Sequence, residues 1–156
     1  MDGRVVLEFV SLFFAGLLAG EELVVRYGVH PSLAILDERS QVLARQGLIR
    51  RLRVLVPSIL VPTVLAGIAT LVFAGTGAGY AFRWTGVIAL VAFVLITFLG
   101  TVRINEQIDT WSSDAPPPGW KATVHRWEQL DVFRSSAAIL AFACFLVAVA
   151  VQLADT

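Results

Sequence analysis

WTGVIALVAFVLITFLGTV, residues 84–102, carries no charged side chain. A transmembrane helix needs about 20 predominantly apolar residues, and this run has that length and composition. It leads directly into RINEQIDTWSSDAPPPGWKATVHRWEQLDVFR, residues 103–134, which holds acids, amides, three of the four tryptophans and one of the two histidines. A second apolar run, 132–153, then takes over with only Arg134 near its start. Polar chemistry this dense, pinned between two membrane-grade segments, makes 103–134 the candidate working region.

Working outward, residues 54–74 form another run without a charge, and residues 5–25 form one interrupted by Glu8 and closed by Glu21 and Glu22. The 156 residues suffice for one domain and are 57% hydrophobic and only 15% charged, with a mean hydropathy of +0.77. Soluble domains carry about 25% charged residues, so lipid is part of the solvent. The fold class is therefore all-α: a single domain over 1–156, an integral membrane four-helix bundle with spans at about 5–25, 54–74, 84–102 and 132–153. The N-terminal run has only Arg4 as a basic residue and no small-residue cleavage site, so it reads as a span and not as a secretory signal. The net charge is formally zero, which gives no footprint for nucleic acid. The single cysteine, Cys144, rules out an internal disulfide or a CxxC pair and reads as a small buried hydrophobe.

Basic residues set the expected orientation. With both long loops on one side, that side collects ten of them, from Arg26 to Arg134, and the other side only Arg4 and Arg83. The positive-inside rule then puts the long loops in the cytoplasm and both termini outside, in the cell (inner) membrane. Between spans one and two, residues 27–31 (YGVHP) read as a turn with a solvated His30, followed by an amphipathic cytoplasmic helix over 32–53. Its arginines, Arg45, Arg50, Arg51 and Arg53 among them, would rest on lipid phosphates. Glu8 reads as solvated. Gly16 and Gly20, beside Ala15 and Ala19, read as a packing face. Adjacent residues on a helix point about 100° apart, so one of Glu21 and Glu22 is expected to line a cavity while the other meets Arg26 or the loop. Pro57 and Pro62 fall in span two, where proline frees carbonyls. The residues GTGAG at 75–79 form a short turn without the lysine of a phosphate loop.

Within 103–134, span three should continue as a helix to Trp111, break at the three prolines, and restart near Trp120. Arg103 and Glu106, and Asn105 and Asp109, are at helix-neighbour spacing. So are His125, Glu128, Asp131 and Arg134, a ladder of i,i+3 steps. Either these groups surround a ligand together with Glu21, Glu22 and Asn105, or the acids and Arg103 and Arg134 neutralise one another and hold helices in register. Metal candidates are His125, Glu128 and His30, but His precedes Glu here and no second pair exists, unlike the carboxylate sites of helical bundles. No cofactor motif is evident. There is no CxxCH for haem, although haem held by His30 or His125, or a metal ion, stays open.

The strings INEQIDTW, DAPPPGW and RWEQLDVFR, with Gly20-Glu21-Glu22 and RQGLIRRLRVLVP, resemble the anthrone-oxygenase-like family of small four-span membrane proteins. The resemblance implies a monooxygenase-type oxidation of anthrones to anthraquinones with dioxygen. It maps the polar motif onto Asn105, Trp111, Trp127 and Arg134, and departs from the family at Asp131, where relatives carry His or Asn. The expected function is a membrane-embedded oxidoreductase for an apolar aromatic or quinone-like molecule. Glu128, Asp131, His125 and Arg134 are the catalytic candidates, with Asn105, Trp111, Trp127, Glu21, Glu22 and Arg103 around the substrate. The alternatives are a non-enzymatic scaffold docking a partner through the basic helix, or a small transporter. The expected partners are the lipid bilayer and the small-molecule substrate, with a homo-oligomer compatible.

Overall fold

Each apolar run forms a helix, and each helix overruns its run. The computed structural model describes residues 3–154. Helix α1 spans Gly3–Val24, widens into a π-helical turn at Val25–Val29 and ends as α2, His30–Ala34. α3 is one helix over Glu38–Phe73; α4, Tyr80–Ile96, passes through a second π-helical turn at Thr97–Thr101 into α5, Val102–Asp109; α6 covers Trp120–Ala154. No strand occurs among the described residues. The four continuous rods are each long and apolar enough to cross a membrane. At 1.5 Å per residue, a helix the length of α3 extends about 54 Å, against about 30 Å of hydrocarbon. The surplus, residues 38–53, lies at the end that carries the 35–37 and 110–119 connections.

The rods form a ring in chain order. α1 lies against α3 and α6, α4 lies closely against α6, and the seam between α3 and α4 is the loosest. Apolar groups face outward: Phe13, Leu65, Ile88 and Phe98 are 61 to 63% exposed, while Thr63, Thr70 and Ser135 are buried. That inversion suits a lipid surround, in which polar side chains turn inward. α1 packs closely on α6, with Ala15, Ala138 and Ala141 in one buried cluster and Ala19 buried as well. Gly16 abuts Phe142, but a side chain at Gly20 would meet nothing, so only part of the expected small-residue face is used.

Two local expectations about the helices are overturned. Residues 27–31 are not a turn; the chain stays helical through Ala34. The π-helical turn opens the backbone just ahead of Pro31, where an ordinary turn would press the proline ring against the carbonyl four residues earlier. The helix expected over 32–53 instead begins at Glu38, because Asp37 caps it: the Ser40 N–H donates to Asp37 Oδ1 at 3.0 Å. Hydrogen bonding from Ser40 holds that carboxyl below the usual carboxylate range. From there α3 continues through Pro57 and Pro62 without a break.

Glu8 is buried, not solvated. Arg83 donates to its Oε1 at 2.7 Å, to the Gly75 carbonyl at 3.1 Å and to Gln152. This latch ties α1, the 74–79 turn, α4 and α6 together at one end of the bundle. Gly79 makes the turn possible: its φ is +83°, and an added Cβ would lie 2.7 Å from the Ala148 carbonyl oxygen. Arg45, expected at lipid phosphates, points inward instead, 1% exposed, and donates to Glu128 at 2.9 Å.

Candidate functional site

Nine of the twelve buried residues of α6 form one stripe: Trp120, Val124, Trp127, Asp131, Arg134, Ala138, Ala141, Phe145 and Ala148. They alternate steps of four and three, the spacing that keeps one helix face toward its neighbours. Polar groups at Asp131 and Arg134 are therefore carried inward by the same geometry that buries the alanines. The i,i+3 ladder behaves differently. Each step of three turns back by about 60°, so His125 ends about 180° from Arg134. His125 is exposed and, among the described residues, pairs with Gln129 at 3.1 Å, and Glu128 turns to Arg45.

Where α3 and α4 stand apart, a cavity of about 640 Å³ opens. Its polar end is formed by Glu21 and Glu22 from α1, Thr101 at the end of the second π-helical turn, Asn105 from α5, and Asp131 and Arg134 from α6. Its apolar walls come from α3 and α4, and it is rimmed by Val61, Leu65 and Phe98, which are also exposed on the bundle surface. The opening is therefore lateral, toward lipid. Glu21 and Glu22 both line the cavity, contrary to the expected division. Glu22 Oε1 accepts from Arg134, and Arg26 instead reaches Ser135 and Ser136 at 3.1 and 3.2 Å.

Several polar atoms here have no hydrogen-bond partner: Glu21 Oε2, Glu22 Oε2, Thr101 Oγ1, Asp131 Oδ2 and Arg134 Nε. Buried polar groups are normally satisfied. Their gathering at the polar end of the cavity leaves donors and acceptors there unsatisfied within the chain. Arg134 is steadied from below by the Phe93 ring, 5.0 Å from its guanidinium carbon. Behind Asp131 stands His30, its Nδ1 3.8 Å from Asp131 Oδ2. Far from solvated, His30 is 8% exposed and lies against the Trp127 ring at 4.8 Å. Trp127 Nε1 donates to Asn105 Oδ1 at 2.9 Å.

The structure thus brings together Glu21, Glu22, Asn105, Trp127, Asp131 and Arg134. It leaves apart His125, Glu128, Arg103 and Trp111. Arg103 is exposed and outside the cavity wall. Trp111 packs on the Ile49, Ile104, Ile108 and Trp127 cluster and edge-on to Trp120 at 6.4 Å. The metal candidates His125, Glu128 and His30 do not meet, and among the described residues no three His, Cys, Asp or Glu side chains converge on a metal position. Sequence reasoning missed Thr101, Arg45 and Gln46. Gln46 donates to the carbonyls of Ile108 and Trp111, both at 2.9 Å, and so pins the end of α5 to α3.

A protein-family model described as anthrone oxygenase matches residues 46–144. The matched segment contains every polar residue of the cavity except Glu21 and Glu22. No curated protein and no solved structure matches the chain.

Proposed function

The chain belongs to the anthrone oxygenase family, and from that premise we propose that it is a membrane-embedded oxygenase acting on an apolar aromatic ketone of the anthrone kind. The observation that carries the reading is the lipid-facing cavity, apolar along its length and closed at one end by acids and a guanidinium that each keep an atom without a hydrogen-bond partner. Such a substrate partitions into the bilayer and enters sideways between α3 and α4. Its CH₂ group, opposite the carbonyl, loses a proton readily because the resulting anion delocalises onto oxygen.

Asp131 is the base in this reading. It is buried, its Oδ2 is unpartnered, and it lines the cavity. Glu22 is taken by Arg134, Glu128 by Arg45, and His125 lies outside. Arg134 offsets the negative charge that develops as the proton leaves. The carbanion gives its electrons to dioxygen, a C–O bond forms, and protonation yields a hydroperoxide on carbon. Loss of the second C–H proton with O–O cleavage releases water and leaves the new carbonyl, so CH₂ + O₂ becomes C=O + H₂O. By the same positive-inside argument, the polar end of the cavity faces the cytoplasm of the cell (inner) membrane. A docking role for the basic helix is less favoured, since Arg50 and Arg53 are ion-paired within the chain to Asp109.

The test is oxygen uptake by the detergent-purified protein with anthrone. Loss of a general base is worth about 10²–10⁴ in rate, so Asp131→Asn should lower turnover at least about 100-fold. Wild-type turnover in Asp131→Asn would remove that residue from the reaction, and no uptake by the wild type would remove the oxygenase reading.

A further inference from the structure

Threonines inside helices commonly hydrogen-bond the carbonyl four residues back. Thr63, Thr85 and Thr97 do so here, at 2.7, 2.9 and 2.8 Å. Thr101 does not, although it is 2% exposed: its Oγ1 is buried without a partner. The cause is local. Thr101 closes the second π-helical turn, where the Thr97 carbonyl is turned toward the N–H of Val102, five residues on, and so out of line with the Thr101 hydroxyl. The widened turn leaves the hydroxyl unpartnered on a residue that lines the cavity.

Asn105 follows four residues later on the same wall. The indole N–H of Trp127 can only donate, so the amide oxygen of Asn105 faces it. The amide NH₂ is thereby directed away from Trp127. Two donors, one hydroxyl and one amide, therefore sit together on the α4–α5 rod, on a different wall from Asp131 and Arg134.

We propose that Thr101 and Asn105 form a receptor for the carbonyl oxygen of an aromatic ketone, so that the ring's opposite edge is presented to Asp131. This rests on the oxygenase reading for the role of that edge, but recognition of the carbonyl needs no turnover. Charge released when the CH₂ group loses its proton collects on that oxygen, where hydrogen bonds to the two donors strengthen. The π-helical turn is the device that supplies one of them.

Binding of three probes of similar shape separates the two readings: anthraquinone, anthrone, and 9,10-dihydroanthracene, which has no oxygen. Quenching of tryptophan fluorescence in detergent reads each affinity, corrected for partition into micelles. Wild type should prefer anthraquinone over dihydroanthracene by about tenfold, the scale of one or two net hydrogen bonds. Thr101→Val and Thr101→Ala should cut the preference to that of the Asn105 amide alone, about threefold, while keeping dihydroanthracene affinity, and Thr101→Ser should restore it. An undiminished preference in both hydroxyl-free variants, or none in wild type, overturns the receptor. Oxygen uptake with anthrone is measured on the same samples. A silent wild type with an intact carbonyl preference sinks the oxygenase reading and supports the receptor. Uptake with an unchanged KM in Thr101→Val does the reverse.

Discussion

Two of the three buried arginines, Arg83 and Arg134, lie toward opposite ends of the bundle, and their surroundings assign them different work. Arg83 meets Glu8, Gln152 and two backbone carbonyls. Arg134 meets Glu22 and then faces a cavity with spare acceptors on its wall. The first arrangement holds rods together; the second leaves room for a ligand. Removing one member of a buried pair strands the other charge, which costs about 3–5 kcal/mol, while replacing both members by neutral groups is often tolerated. Arg83→Met should therefore destabilise the protein by about that amount, and Glu8→Gln/Arg83→Met together by clearly less. Denaturant unfolding in detergent measures both, and equal losses would show that Glu8 is not stranded. None of this pairing was legible in the sequence. Glu8 and Arg83 are 75 residues apart, and a lone acid near the end of an apolar run looks solvated until its partner on another rod is known. His30 was misjudged for the same reason: only the fold reveals Trp127 and Asp131 beside it.

At the scale of elements, the helices themselves were plain in the hydropathy, and the proline break and the restart at Trp120 came from backbone chemistry. The inward face of α6, a stripe through Trp127, Asp131 and Arg134 at the four-and-three spacing of its alanines, was not read from the sequence. The ladder of three-residue steps misled because it spirals off that face and carries His125 to the far side. The two π-helical turns left no mark in the sequence, and with them went the free hydroxyl of Thr101. The short turn before α4 tests how tightly elements are joined. At Gly79 a left-handed backbone coincides with contact on the Ala148 main chain, which cannot swing aside as a side chain would. A left-handed non-glycine residue costs about 1–2 kcal/mol and overpacking about 1–3 kcal/mol more. Gly79→Ala should accordingly lower stability by at least about 2 kcal/mol, seen as a reduced Tm. An unchanged Tm would mean that α4 and α6 part easily at this end.

At the scale of the whole molecule, the arrangement joins a closed side to an open one. Three seams of the ring are well packed and the fourth, between α3 and α4, is not; the cavity lies along it, with its charged groups at one end and its mouth in the lipid-facing wall. A substrate dissolved in the bilayer would meet that mouth before it met any polar group, whereas one arriving from water would have to pass the acids and Arg134 first. Leu65 separates these routes. It lines the cavity and is 63% exposed, so Leu65→Trp adds bulk at the lipid-side mouth, far from Asp131 along the helix axis, without burying a polar group. If delivery is lateral, Leu65→Trp should raise KM for a membrane-dissolved anthrone several-fold and leave kcat close to wild type, because access is altered and the reacting groups are not. Ile88→Trp is the matched control: equally exposed on α4 but off the cavity wall, it should change neither constant. Equal KM values for Leu65→Trp and wild type in reconstituted vesicles would mean that the substrate reaches Asp131 through the polar end instead.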